Sequence, residues 1–83
     1  PQPEDPGMEN SKSLQMMKLQ AFKGQNHAAH INAHQAFMSS FLVANNPPTM
    51  GILQSHISEH VALKMQKQCK NKQHSLVDKY HKN

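Results

Sequence analysis

The chain has no tryptophan and no arginine, and its 83 residues include one cysteine, one tyrosine and three phenylalanines. Each shortage excludes something. Without arginine there is no planar fork to grip phosphates or guanine edges bidentately. The surplus of 9 lysines over 5 acids, a net charge of +4, therefore implies a basic surface but no specific reading of bases. A single cysteine, Cys69, rules out an internal disulfide and any CxxC metal or redox motif. No secretory h-region is present, and no apolar run approaches the ~20 residues of a membrane-crossing helix. Three of the five acids, Glu4, Asp5 and Glu9, lie in the first ten residues. Paired carboxylates for acid–base work, and Ser/His/Asp or Cys/His sets for nucleophilic work, are not discernible. Neither an enzyme nor a cofactor is expected.

What is present is polar. Only 36% of the residues are hydrophobic and seven are histidine, so the core should be thin and the charge should depend strongly on pH. A chain this short buries little apolar surface, which calls for partners. It starts with proline and stops in a lysine-rich stretch, and reads as a piece of a longer polypeptide.

Residues 1–10, PQPEDPGMEN, hold three of the five prolines and read as a disordered arm or linker. Residues 11–44 carry apolar positions at three- and four-residue spacings, among them Leu14, Met17, Ile31, Met38 and Phe41. This is the period of a first helix, capped by Asn10 or Ser11 and weakest at Gly24. Residues 45–50 contain Asn-Asn-Pro-Pro and must turn. Thr49 is a fair N-cap for a second helix over 51–80, whose stripe runs through Ile52, Leu53, Ile57, Val61, Leu63 and Met65. Residues 81–83 form a tail. The fold class is therefore all-α, an antiparallel helical hairpin with a disordered N-terminal arm. Past Met65 the second helix is polar on every side and awaits neighbouring subunits. The methionines serve as core filler or as an adaptable surface, and Phe22, Phe37 and Phe41 as anchors where helices or subunits meet.

One pattern occurs twice. His30-Ile31-x-x-His34-x-Ala36-Phe37 returns as His56-Ile57-x-x-His60-x-Ala62-Leu63. HxxxH on a helix is a zinc-ligand spacing, because imidazoles at i and i+4 reach one ion. With the hairpin turning at Pro47 and Pro48, however, His34 is level with His60, His56 with Met38 and His30 with Lys64. At 1.5 Å per residue that separates His30 from His56 by about 12 Å along the axis, which excludes a four-histidine site and leaves His30, His34 and His60 as a three-ligand alternative. The plainer expectation has the histidines at the polar edge of the seam, binding no metal, with their nitrogens bonded to Gln, Asn, Ser or water. A third use is sensing of pH.

The stretches NHAAHINAHQAFMSS, NPPT and LQSHISEHVALKMQKQ, within Gln25–Gln68, resemble the carboxy-terminal region of portal proteins of tailed bacteriophages. That resemblance implies a structural segment of a ring-forming homo-oligomer at a capsid vertex, a virion component assembled in the host cytoplasm. It would neighbour other capsid or tail proteins and the DNA that passes through. Packing and assembly would then use His30, Ile31, His34, Phe37, Phe41, His56, Ile57 and His60. Lys64, Lys67, Lys70 and Lys72 would offer weak, non-specific contacts to nucleic acid. The alternatives are a small helical metal-binding module and a basic nucleic-acid-binding hairpin.

Overall fold

In the computed structural model the backbone is described for residues 2–81 and the side chains for residues 2–69. The chain is all-α, with four helices: α1 (Pro6–Leu14), α2 (His27–Met38), α3 (Phe41–Ala44) and α4 (Pro47–His81). Among the described residues there is no strand.

The N-terminal stretch departs from expectation. Instead of a disordered arm over 1–10, Asp5 caps α1, its carboxylate accepting from the Met8 amide at 3.0 Å. Pro6 occupies the first helical turn, where its fixed φ suits a helix and its missing N–H is not needed. The cap and the proline together turn a proline-rich segment into a helix start. α1 ends in a Schellman motif: the Met17 amide donates to the Lys12 carbonyl and the Met16 amide to that of Ser13. Met16 takes the left-handed residue of that motif at φ 62°, a position that glycine fills without strain.

The continuous helix expected over 11–44 is also divided. A loop runs from Gln15 to Asn26, past a left-handed Gly24 at φ 86°. Within it the Gln25 side chain accepts from the Phe22 amide at 2.8 Å, and Leu19 drops into the core. Asn26 then starts α2, its side-chain oxygen accepting from the Ala29 amide at 3.0 Å. α2 ends where the Ser39 hydroxyl turns back to the Gln35 carbonyl. Ser40, in extended geometry, begins the single turn of α3.

The turn is shorter than the sequence implied, and the second helix starts earlier than 51. Pro47 and Pro48 lie inside the first turn of α4, and Asn46 takes the capping role expected of Thr49, accepting from the Thr49 amide at 3.3 Å. Thr49 is buried and its hydroxyl donates to the Ser13 carbonyl at 3.0 Å, tying the end of α1 to the start of α4. The expected tail at 81–83 lies, apart from His81, outside the described residues.

The apolar core is small. Among the described residues Leu19, Val43 and Leu53 are buried, with Phe37, Met38, Met50 and Ile52 packed around them. Among the same described residues eight polar or charged ones are buried as well: Glu9, Ser13, His27, His30, His34, Thr49, His56 and His60. Six of these eight form one cluster.

Candidate functional site

Three helices aim side chains at one point. α2 places His27, His30 and His34 along one face, through i, i+3 and i+7 spacing. α4 brings His56 and His60 across from them, and α1 inserts Glu9. Glu9, His30, His34, His56 and His60 each offer a nitrogen or carboxylate oxygen, and all these atoms lie within 4.8 Å of one another. None of the five residues is more than 6% exposed.

The register differs from the expected one by a full turn. His30 stacks on His60 with ring centroids 4.6 Å apart, and His34 meets His56 edge-on at 4.9 Å. His34 and His60, expected to be level, are 6.2 Å apart. Pro47 and Pro48 belong to α4 rather than to the turn, so each residue of α2 faces an α4 residue four positions earlier in the chain. The separation that excluded His56 from a shared site therefore disappears. The plainer expectation is corrected too. The histidines are buried rather than at a polar edge, and their nitrogens meet one another, two carboxylates and Asn10.

The contacts divide into an inner and an outer set. Inside, Glu9 Oε1 is 2.9 Å from His30 Nδ1 and 3.2 Å from His34 Nε2, and Glu9 Oε2 is 3.1 Å from His56 Nε2. His56 Nε2 is also 3.2 Å from His60 Nε2. Outside, His34 Nδ1 donates to Asn10 Oδ1 at 2.7 Å and His56 Nδ1 to the Glu59 carboxylate at 3.0 Å, while His60 Nδ1 pairs with His27 Nδ1 at 2.7 Å.

The outer bonds fix the inner electron pairs. An amide oxygen and a carboxylate only accept, so neutral His34 and His56 carry their proton on Nδ1 and present a bare Nε2 inward. Those lone pairs point at the Glu9 oxygens, acceptor against acceptor. A positive charge between them is needed, either protons or a cation.

Protonation is disfavoured where the cluster is deepest. Burial, and then the neighbouring His56, lower the pKa of His34 against an opposing pull from Glu9. Burial and the surrounding His56, His30, His27 and His34 lower that of His60 to about 3. His27 is lowered by loss of solvent, then by His30, Lys67 and Lys64.

Beside the cluster a cleft of about 550 Å³ is lined by Met16, Lys18, Leu19, Ile52, His56 and Glu59. The half-exposed Glu59 lines this cleft with its carboxylate 3.0 Å from Nδ1 of the buried His56 ring.

The remaining predicted positions scatter. Ile31, Ile57 and Phe37 are half-buried. Phe41, the first residue of α3, is 84% exposed, so it anchors nothing in the buried core. Lys64 and Lys67 are exposed on α4, whereas the side chains of Lys70 and Lys72 lie outside the described residues. Glu9, His27 and His56 join the cluster without having been assigned to it. Asp5-Pro6, a capping residue followed by proline, was the available sign that Glu9 sits on a helix.

Comparison with protein-family models, curated proteins and solved structures finds no match.

Proposed function

We propose that this chain is a structural segment of a tailed-bacteriophage portal protein, acting by helix packing and self-association without catalysis. The motif resemblance of Gln25–Gln68 supports that reading. The observation that carries it is how the described side chains of α4 change from buried to exposed along the helix. The resembling stretch covers α2, α3 and α4 as far as Gln68, and the histidines of both copies of H-I-x-x-H face inward. From Lys64 to Cys69 the side chains of α4 are exposed, although the helix continues. A helix in that situation is marginal alone and gains most from a neighbour. Copies arranged as a ring would supply one, with DNA in the channel meeting lysines that hold phosphates without reading sequence.

Light scattering on the chain tests this. Growth of defined higher oligomers with concentration is the expected result, and a monomer at every concentration overturns it.

A second reading, a self-contained metal-binding module, is favoured by the buried cluster. It differs from the first in oligomeric state, since such a module works as a monomer. A basic hairpin that binds duplex on its own is the third; it predicts affinity that falls steeply with salt, and lack of binding at low salt removes it.

A further inference from the structure

We infer that Glu9, His30, His34, His56 and His60 bind one divalent transition-metal ion of the zinc, cobalt or nickel type, and that this ion clamps α1, α2 and α4 together. The inference is independent of whether the chain assembles into a ring.

Distance is the first support. Bonds of about 2.0–2.2 Å from a metal to imidazole nitrogen or carboxylate oxygen put neighbouring ligand atoms roughly 3–3.5 Å apart. The inner contacts of Glu9 with His30, His34 and His56, and of His56 with His60, are 2.9, 3.2, 3.1 and 3.2 Å. Ligands on opposite sides of an ion stand about 4.2 Å apart at the same bond lengths. The whole set spans no more than 4.8 Å, so a contraction of about half an ångström, within reach of side-chain torsions, closes it on one centre.

Donor chemistry is the second. The outer bonds to Asn10 and Glu59 commit His34 and His56 to the tautomer whose Nε2 lone pair faces inward. Ligating histidines in metal sites are held in this way, their far N–H given to a carboxylate or carbonyl. Two such lone pairs facing a carboxylate repel one another, and a cation among them turns that repulsion into coordination. Four nitrogens and one carboxylate suit borderline divalent ions. Calcium and magnesium prefer all-oxygen shells, while copper(I) and iron–sulfur clusters prefer thiolates.

The third support is what holds the fold. Three buried apolar residues among the 68 described side chains are few, and small scaffolds commonly use a metal or disulfides to make up such a deficit. No disulfide can form within a chain that has one cysteine. An ion at the cluster would join three helices that are far apart in sequence, and the cleft beside Glu59 and His56 gives it a route in.

The test uses the chain made without a histidine tag, stripped with a chelator and reloaded with Zn²⁺ or Co²⁺. One ion per chain by elemental analysis, visible ligand-field bands on Co²⁺ loading, and a higher thermal midpoint with metal are expected. Glu9→Gln and His56→Gln should each weaken Zn²⁺ binding by about tenfold or more, while Gln54→Ala, exposed on α4, should bind as the parent does. Unchanged affinity in both cluster variants overturns the inference. Should either variant fail to fold, the parent chain decides: less than stoichiometric metal, or Co²⁺ without ligand-field bands, overturns it equally. Metal content and oligomeric state are separate readouts, so the portal reading and this one fail independently.

Discussion

His30 stacks on His60 at a ring separation of 4.6 Å, one helical turn from Lys64, the residue it would face if the chain turned at its prolines. That shift makes a shared site of four histidines from a repeat that otherwise would have been only a packing motif. It also lets Glu9 reach His30, His34 and His56 at once.

Within the cluster, the metal-free chain should show strong coupling. His30 Nδ1 lies 2.9 Å from Glu9 Oε1, which only accepts, so Glu9→Ala and His30→Ala each strand a buried partner and each is expected to destabilise by about 1–3 kcal/mol. The double variant should lose less than the two losses combined, with a coupling of about 0.5–3 kcal/mol, because the second change removes a group already stranded. Urea denaturation of all four proteins measures this. Simple additivity would show that Glu9 and His30 do not interact.

Acid should loosen the metal-free fold. His34 and His60 have folded pKa values below the ordinary 6.5, so the folded state binds fewer protons than the unfolded one and stability rises with pH. Their contribution is complete above about 6.5. It shrinks as pH falls below that, and for His60 the loss continues down to about 3. The urea midpoint at pH 5 should therefore lie below that at pH 7.5. A bound metal adds a dependence of the same sign, since protons compete for the same electron pairs. An equal midpoint at the two pH values would count against burial of these rings.

Met16 stands in the left-handed position of the motif that closes α1, and its side chain is half exposed. Met16→Gly should stabilise by about 1 kcal/mol through relief of the Cβ clash. Met16→Val, stiffer at the same φ, should destabilise. Thermal melts of the two variants should move in opposite directions.

Asp5 is three residues from the amide it caps and four from Glu9. Asp5→Ala should cost about 1 kcal/mol through loss of the cap. Because α1 holds Glu9 in place, the same change should weaken Zn²⁺ binding, although Asp5 is not part of the cluster. Titration with Zn²⁺ checks this, and full affinity in that variant would mean that Glu9 reaches the site without a well-formed α1.

Thr49 links α4 to the last turn of α1 through the Ser13 carbonyl. Thr49→Val keeps the shape, removes the donor, and should cost about 1 kcal/mol. Hydrogen exchange should quicken in α1 more than in α2, and uniform exchange would indicate that the bond carries nothing between the two helices.

Local chemistry was legible in the sequence. Helix periodicity gave the all-α class, and the four-residue spacing set His30 and His34 on one face of α2. The same rule set His56 and His60 on one face of α4. Capping and proline rules also held, but competing candidates hid which residue would act. Asp5 with Pro6 starts a helix where proline content argued for disorder, and Asn46 caps α4 where Thr49 was the apparent choice.

The sequence by itself determined that the histidines would line two helical faces, because side-chain spacing along a helix is a property of the backbone alone. Only the tertiary structure decided that those faces meet in this register and that Glu9 joins them. Both depend on where the helices end and how they dock. Moving two prolines from the turn into the first turn of α4 shifts the pairing by four residues, and α1 can deliver its carboxylate only once the core around Leu19, Val43 and Leu53 has fixed its position.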